Sequence, residues 1–155
     1  MFQQKIHMSK ISGKQIVSQA RTWLGTPFHH QARLKHKGCD CLGLIVGVVD
    51  ELGLKDKTGR LLASYDEITY SKQPDGARLI AKLQSALKEV PKDKKKPGDL
   101  GLFNIGNNPQ HLAILTDFEG GLGMIHCEAR TRKVVEHRLD DEWNERLIKV
   151  FRWQP

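Results

Sequence analysis

Apolar positions recur at a helical period in the first half of the chain and at a strand period in the second. Ser12 with Gln15 three residues on has the form of a capping box. Ile16, Val17, Ala20, Trp23 and Leu24 then recur at helical spacing up to Gly25-Thr26-Pro27, which predicts a helix over 12–25. The stretch 28–38 is polar, carries His29, His30 and His36 beside Arg33, Lys35 and Lys37, and reads as a loop. Asp40 is a good N-cap for 41–52, which Gly53 ends. Leu42, Leu44, Ile45, Val46, Val48, Val49 and Leu52 point almost all round that helix, so it is expected at the centre of the core. Gly43 and Gly47 cost helix propensity there, which implies that another element packs closely against them.

After a turn-rich crossing over 55–74, Asp75 can cap a helix whose face is Leu79, Ile80, Leu83, Ala86 and Leu87. The period then changes. Segments 99–105, 110–116, 122–128, 132–138 and 147–153 alternate or run apolar as strands do. Helices first and an antiparallel meander second give an α+β fold rather than a parallel βαβ sheet, in one domain over 1–155 with 1–11 as a flexible tail.

Composition narrows the partners more than the fold. A chain of 155 residues with 39% apolar content can bury one modest core without disulfides. Twenty-five Lys+Arg against 18 Asp+Glu leave a formal charge of +7, which favours anionic partners without choosing among them. The basic run Lys92-Asp93-Lys94-Lys95-Lys96 has no interleaved aromatics and reads as a solvated connector, so no nucleic-acid partner is expected. Three cysteines, an odd number with Cys39 and Cys41 one residue apart, exclude a disulfide scaffold and point to a reducing compartment. The start at Met1 shows no apolar leader, and no run approaches the ~20 apolar residues that span a bilayer. Synthesis in the cytoplasm without membrane insertion is the expectation.

The dipeptide Asp40-Cys41 opening a buried helix carries the first chemical signal. Backbone N–H groups and the positive dipole end stabilise a thiolate there and offer an oxyanion site. A small buried hydrophobe is the plain alternative for Cys41. The second signal is a hairpin. If 117–120 is a four-residue loop, Thr116 faces Gly121, and His111 stands opposite His126 on one face with Cβ atoms ~4.5–5.5 Å apart. Alternation turns Cys127 to the other face. A cysteine and two histidines sharing a face are what a thiol hydrolase needs, one imidazole acting as base and the other orienting it. Zinc is the rival, through Cys39, Cys41, His126 and Cys127, but Cys39-x-Cys41 is spaced too closely for a structural site, and neither metal nor cofactor is expected. His29, His30 and His36 read as loop surface that can line a substrate groove, His137 as part of a solvated strand face and His7 as tail.

Gly25-Thr26-Pro27-Phe28, Gly38-Cys39-Asp40-Cys41-Leu42-Gly43-Leu44, Pro97-Gly98-Asp99-Leu100, His111-Leu112-Ala113-Ile114 and Ile125-His126 resemble, in order, the signature blocks of NlpC/P60 cysteine peptidases, and more narrowly the phage-type cell-wall peptidases among them. The likeness runs from about Ser12 to Trp153. It implies a minimal papain-like fold and hydrolysis of a peptidoglycan stem-peptide bond, commonly that between γ-D-glutamyl and a diamino acid. Cys41 falls on the nucleophile, His111 on the base and His126 on the polar third residue. Phe28, His30, Asp40 and Leu42 become candidate substrate contacts. Phe28 stands where many members have tyrosine and Leu42 where many have serine. The expected partners are peptidoglycan peptides and phage or prophage tail components, with action at the wall or periplasm through a tail structure. A catalytically silent module that binds peptidoglycan or a tail protein is the alternative.

Overall fold

The computed structural model describes residues 11–56, 58–65 and 76–153. Apart from Ile11, which packs against the main core, the expected tail lies outside the described residues, as do His7, Asp75 and much of the 55–74 crossing.

Helix α1 spans Gly13–Arg21, and both halves of its capping box form: Gln15 N–H donates to Ser12 Oγ at 3.1 Å and Ser12 N–H to Gln15 Oε1 at 2.8 Å. It stops short of the expected end at 25, because the chain turns at Thr22, yet Trp23 still enters the core at 2% exposure. Two short strands, β1 (Arg33–Leu34) and β2 (Gly38–Cys39), pair as a small hairpin inside what the sequence presents as loop. Helix α2 spans Cys41–Leu52, capped by Asp40 and ended by Gly53 at φ +63°. Its glycines are where the sequence places close approaches: a Cβ on Gly43 would lie 1.9 Å from the Ala32 carbonyl oxygen, and one on Gly47 2.2 Å from the Trp23 ring. Helix α3 covers Gly76–Ala86.

Strands β3 (Lys88–Val90), β4 (Leu100–Ile105), β5 (Asn108–Phe118), β6 (Gly121–His126), β7 (Val135–Arg138) and β8 (Leu147–Arg152) form one antiparallel sheet in the order β3-β8-β4-β5-β6-β7. Thus β4 to β7 run as a meander, while β8 crosses back to the far side of β4 and β3 borders it. The fold is α+β, with helices packed on an antiparallel sheet. A further helix, α4 (Asp141–Arg146), leads into β8. Asp140 caps it, accepting the Trp143 N–H at 2.9 Å.

The β5–β6 register differs from the expected one by two residues. Phe118 faces Gly121 and Thr116 faces Gly123, because the loop is only Glu119-Gly120, at φ +46° and +83°. Two left-handed residues make the tight turn whose twist suits a hairpin. A shift of two leaves every side chain on its original face.

The sheet has two buried faces. Leu100, Leu102, Leu112, Ile114, Ile125 and Phe151 meet α1 and α2, forming the main core. Phe103, Ala113, Leu115, Met124, Leu147 and Val150 face the other way, under Trp143 of α4. The Pro97-Gly98-Asp99 block is a clamp on β8. Asp99, 1% exposed, accepts from Arg152 Nε and Nη2, both at 2.8 Å, and Trp153 Nε1 donates to the Gly98 carbonyl at 2.6 Å. Gly98 has φ +97° and touches Gly13, so the block also holds the start of α1.

Candidate active site

Helix α2 sets Cys41 in its first turn, beside the early part of β5, ahead of the β5–β6 ladder that begins at Ile114–Ile125. The half-buried thiol donates to the Gln110 carbonyl at 4.0 Å, and the Leu112 N–H bonds to its sulfur. The thiol therefore lies against the backbone on both sides of His111. Among the described residues no hydrogen bond joins it to the His111 ring.

The two sequence-predicted histidines do meet. His111 Nε2 and His126 Nδ1 are 2.8 Å apart, and the residues are 3% and 0% exposed. They stand diagonally across β5 and β6 rather than directly opposite, the outcome of the two-residue shift in register. Their face of the sheet is the one under Trp143, whose ring lies 5.6 Å from His111 and 5.0 Å from His126, with Phe103 6.3 Å from His111.

A third imidazole joins them. His137 Nε2 lies 2.7 Å from His126 Nε2, and His137 Nδ1 lies 2.8 Å from the Arg138 carbonyl oxygen. Reading 132–138 as a solvated strand missed this residue. The missing signal was the next register along: Met124 faces His137 across β6 and β7, which puts His126 and His137 on one face.

The electrostatics differ from the expectation for a helix start. Burial, followed by the Asp40 carboxylate, pushes the Cys41 thiol up to about 12, and the N–H groups of Leu112 and Leu42 pull it down by less. The expected lowering by the helix end is thus outweighed by desolvation and an adjacent negative charge. Burial lowers His111 to about 4, helped by Arg130 and Arg146. Burial also lowers His126 to about 2, helped by His111, His137 and Arg130. At neutral pH the Cys41 thiol and the His111 and His126 rings are uncharged at rest.

Asp40 is engaged by its own chain. One carboxylate oxygen accepts from Gly43 N–H at 2.8 Å and the other from Gln31 N–H at 2.7 Å, with His30 Nδ1 3.8 Å from the second. The carboxylate thereby ties the 29–32 loop to the start of α2. Phe28 and Leu42 are half-buried and pack against the main core on either side of this loop. His29 and His36 are exposed. Cys39 and Cys127 are fully buried, with Cys127 Sγ donating to the Cys39 carbonyl at 3.4 Å, on the face away from His126. Among the described residues, no three His, Cys, Asp or Glu side chains are grouped to hold a metal ion.

The NlpC/P60 family model matches residues 25–152, which include Cys41, His111 and His126. The chain belongs to the NlpC/P60 family. Among solved structures, the NlpC/p60 domain of the peptidoglycan hydrolase SagA aligns over 91% of this chain and 98% of its own, at 20% identity and a TM-score of 0.60. An NlpC/P60 family protein from Bacillus cereus aligns over 95% of this chain at 18% identity and a TM-score of 0.66, and this chain spans 42% of its length. An N-acetylmuramoyl-L-alanine amidase from Bacteroides uniformis aligns over 92% of this chain and 99% of its own, at 14% identity and a TM-score of 0.56. At these identities the likeness is one of fold. No curated protein matches the chain. Within an NlpC/P60 domain the arrangement described above has a plain chemical content: a thiol at a helix start, an imidazole on the neighbouring strand, and a second imidazole holding the first.

Proposed function

We propose that this NlpC/P60 domain is a cysteine hydrolase of peptide bonds in bacterial peptidoglycan, with Cys41 as nucleophile, His111 as general base and His126 orienting it. The observation that carries the proposal is the 2.8 Å bond between His111 and His126 beside a helix-opening thiol that lies against the backbone of Gln110. His111 Nε2 is held by His126, so Nδ1 is the nitrogen left to face the thiol.

The uncharged resting pair means that proton transfer accompanies attack rather than preceding it. The thiol proton passes to His111 Nδ1 as sulfur bonds to the substrate carbonyl carbon and the carbonyl electrons move onto oxygen. The Cys41 N–H is the first-turn donor for that oxyanion, since those of Gly43 and Leu44 already bond to Asp40 and that of Leu42 to the Cys41 sulfur. Collapse expels the amine, which takes the proton from His111 and leaves a thioester. Water, giving a proton to His111, then attacks the thioester carbon. The carbon–sulfur bond breaks, the acid product leaves and the proton returns to sulfur. Closure of the Cys41–His111 gap by bound substrate is part of this scheme, as catalytic hydrogen bonds are often long in unliganded sites.

Family membership supports the hydrolase reading. The narrower reading rests on the motif likeness: cleavage between γ-D-glutamyl and a diamino acid by a phage-type enzyme carried to the wall by a tail structure. The net charge of +7 suits carboxylate-rich wall peptides. The test is digestion of purified peptidoglycan by the wild type, Cys41→Ala and His111→Ala, with products identified by mass spectrometry. The wild type should release stem-peptide fragments ending at γ-D-glutamate, and neither variant should. A wild type that sediments with peptidoglycan and releases nothing would instead be the silent binding module.

A further inference from the structure

The three imidazoles form an ordered series that ends on one backbone carbonyl. Each link is of hydrogen-bond length: His111 Nε2 to His126 Nδ1 at 2.8 Å, His126 Nε2 to His137 Nε2 at 2.7 Å, and His137 Nδ1 to the Arg138 oxygen at 2.8 Å. A carbonyl oxygen can only accept, so His137 Nδ1 carries hydrogen. In an uncharged ring its Nε2 is then a lone pair, and His126 Nε2 must be the donor to it. The same step repeats: His126 Nδ1 is a lone pair, His111 Nε2 donates, and His111 Nδ1 is left as a lone pair. No other arrangement of protons satisfies all three bonds with neutral rings.

We propose that His137, anchored by the Arg138 carbonyl, is a positioning residue that sets the tautomer and orientation of His126 and, through it, leaves His111 Nδ1 free as the base. The inference about catalysis rests on the function proposed above; the hydrogen-bond order does not. Two observations hold the inner rings, His111 and His126, neutral. His111 and His126 are buried against Trp143, with Phe103 beside His111, and among the described residues no carboxylate bonds to any of the three rings. Charging one would bury an unpaired cation. Burial and the nearby Arg130 and Arg146 accordingly lower His111, and burial, the flanking rings and Arg130 lower His126. A shared zinc ion does not account for the contacts, because two nitrogens on one tetrahedral zinc sit roughly 3.3 Å apart, farther than either ring-to-ring distance. A carbonyl at the end of the series, in place of a carboxylate, makes the device one of orientation more than of charge stabilisation.

The order has a spectroscopic signature. In water a neutral histidine favours the Nε2–H form, whereas His137 must hold the Nδ1–H form. Long-range nitrogen–proton correlation spectra of the full ¹⁵N-labelled chain at neutral pH should show His137 protonated at Nδ1, and His111 and His126 protonated at Nε2. His137→Phe should lose the protected His126 Nε2–H signal and lower kcat by about tenfold, with KM within about twofold, as expected when a base is loosened rather than removed. His137→Gln places a side-chain oxygen as acceptor and should restore most of the rate, within about threefold of wild type. Circular dichroism verifies that both variants fold. A His137 ring protonated at Nε2, or doubly protonated, overturns the proposal, as does a folded His137→Phe with unchanged kcat. A wild type with the expected spectra but no muropeptide cleavage overturns the peptidase reading and the catalytic role of His137 together, and leaves the hydrogen-bond order standing.

Discussion

The two buried faces of the sheet are built from the same strands and do different work. Toward α1 and α2, β4 and β5 present Leu100, Leu102, Leu112 and Ile114, side chains with no polar atom to satisfy. Toward α4 the same strands and their neighbours present Phe103, His111, His126 and His137 under Trp143. The first face is held by area removed from water and tolerates loss of a group at a cost in stability. The second adds to its own apolar cluster a directional series of hydrogen bonds, in which loss of one member loosens the next. A strand's alternation lets one segment, 111–114, serve both purposes at adjacent residues.

The comparison is broken most sharply by chemistry. His111→Ala should reduce kcat/KM on muropeptides by at least about a thousandfold, roughly 4 kcal/mol of barrier, while the melt of the protein stays cooperative. Leu102→Ala, on the aliphatic face and fully buried, should do the reverse. It should cost about 3 kcal/mol in denaturant unfolding and leave the activity of the folded fraction within about twofold. A third contrast is pH. The folded-state values of His111 and His126 lie below that of an unfolded histidine, so their protons bind preferentially to the unfolded chain. The stability they permit is complete above about pH 6.5 and is lost as pH falls toward 4, by about 1.4 kcal/mol per pH unit for each ring. Urea unfolding across that window should show the slope, and His111→Phe should about halve it where Leu102→Ala does not. The smallest effect is at the rim. Arg146 lies 4.8 Å over the Trp143 ring and 2.7 Å from Glu142, and Arg146→Ala should cost about 0.5 kcal/mol in a thermal melt.

Local signals carried most of the fold. The capping box at Ser12, the Asp40 cap, the Gly53 stop and the tight contacts of Gly43 and Gly47 are all short-range facts that a sequence displays. The pairing of His111 with His126 was legible for a subtler reason: the assumed loop was two residues too long, and an even error leaves side chains on the correct face. Other elements lay beyond that reach, among them the two-residue strands β1 and β2 within the stretch read as loop. Strand β3 is short and mostly polar, so nothing in Lys88-Glu89-Val90 alternates long enough to register. Helix α4 has six residues, and its cap at Asp140 precedes no helical stripe. The place of β8 depends on partners 44 to 51 residues away in β4 and 60 to 64 residues away in β3, which no local pattern encodes. In the site, the charge state of Cys41 was misjudged because a helix start is visible in sequence, whereas burial against β5 is not.

The position of β8 also constrains how the molecule can be made. Its ladder with β4 joins Leu100 to Phe151 and Gly101 to Val150, and among the described residues β3 pairs only with β8. During synthesis the strands from β4 to β7 exist before the strand that flanks them on the other side, so a nascent chain shows the bare edge of β4 until Leu147–Arg152 emerges. The Asp99–Arg152 pair can close only after that insertion. A ribosome-bound chain halted before residue 147 should therefore remain protease-sensitive and prone to strand exchange, and native resistance should arrive in one step when β8 becomes available.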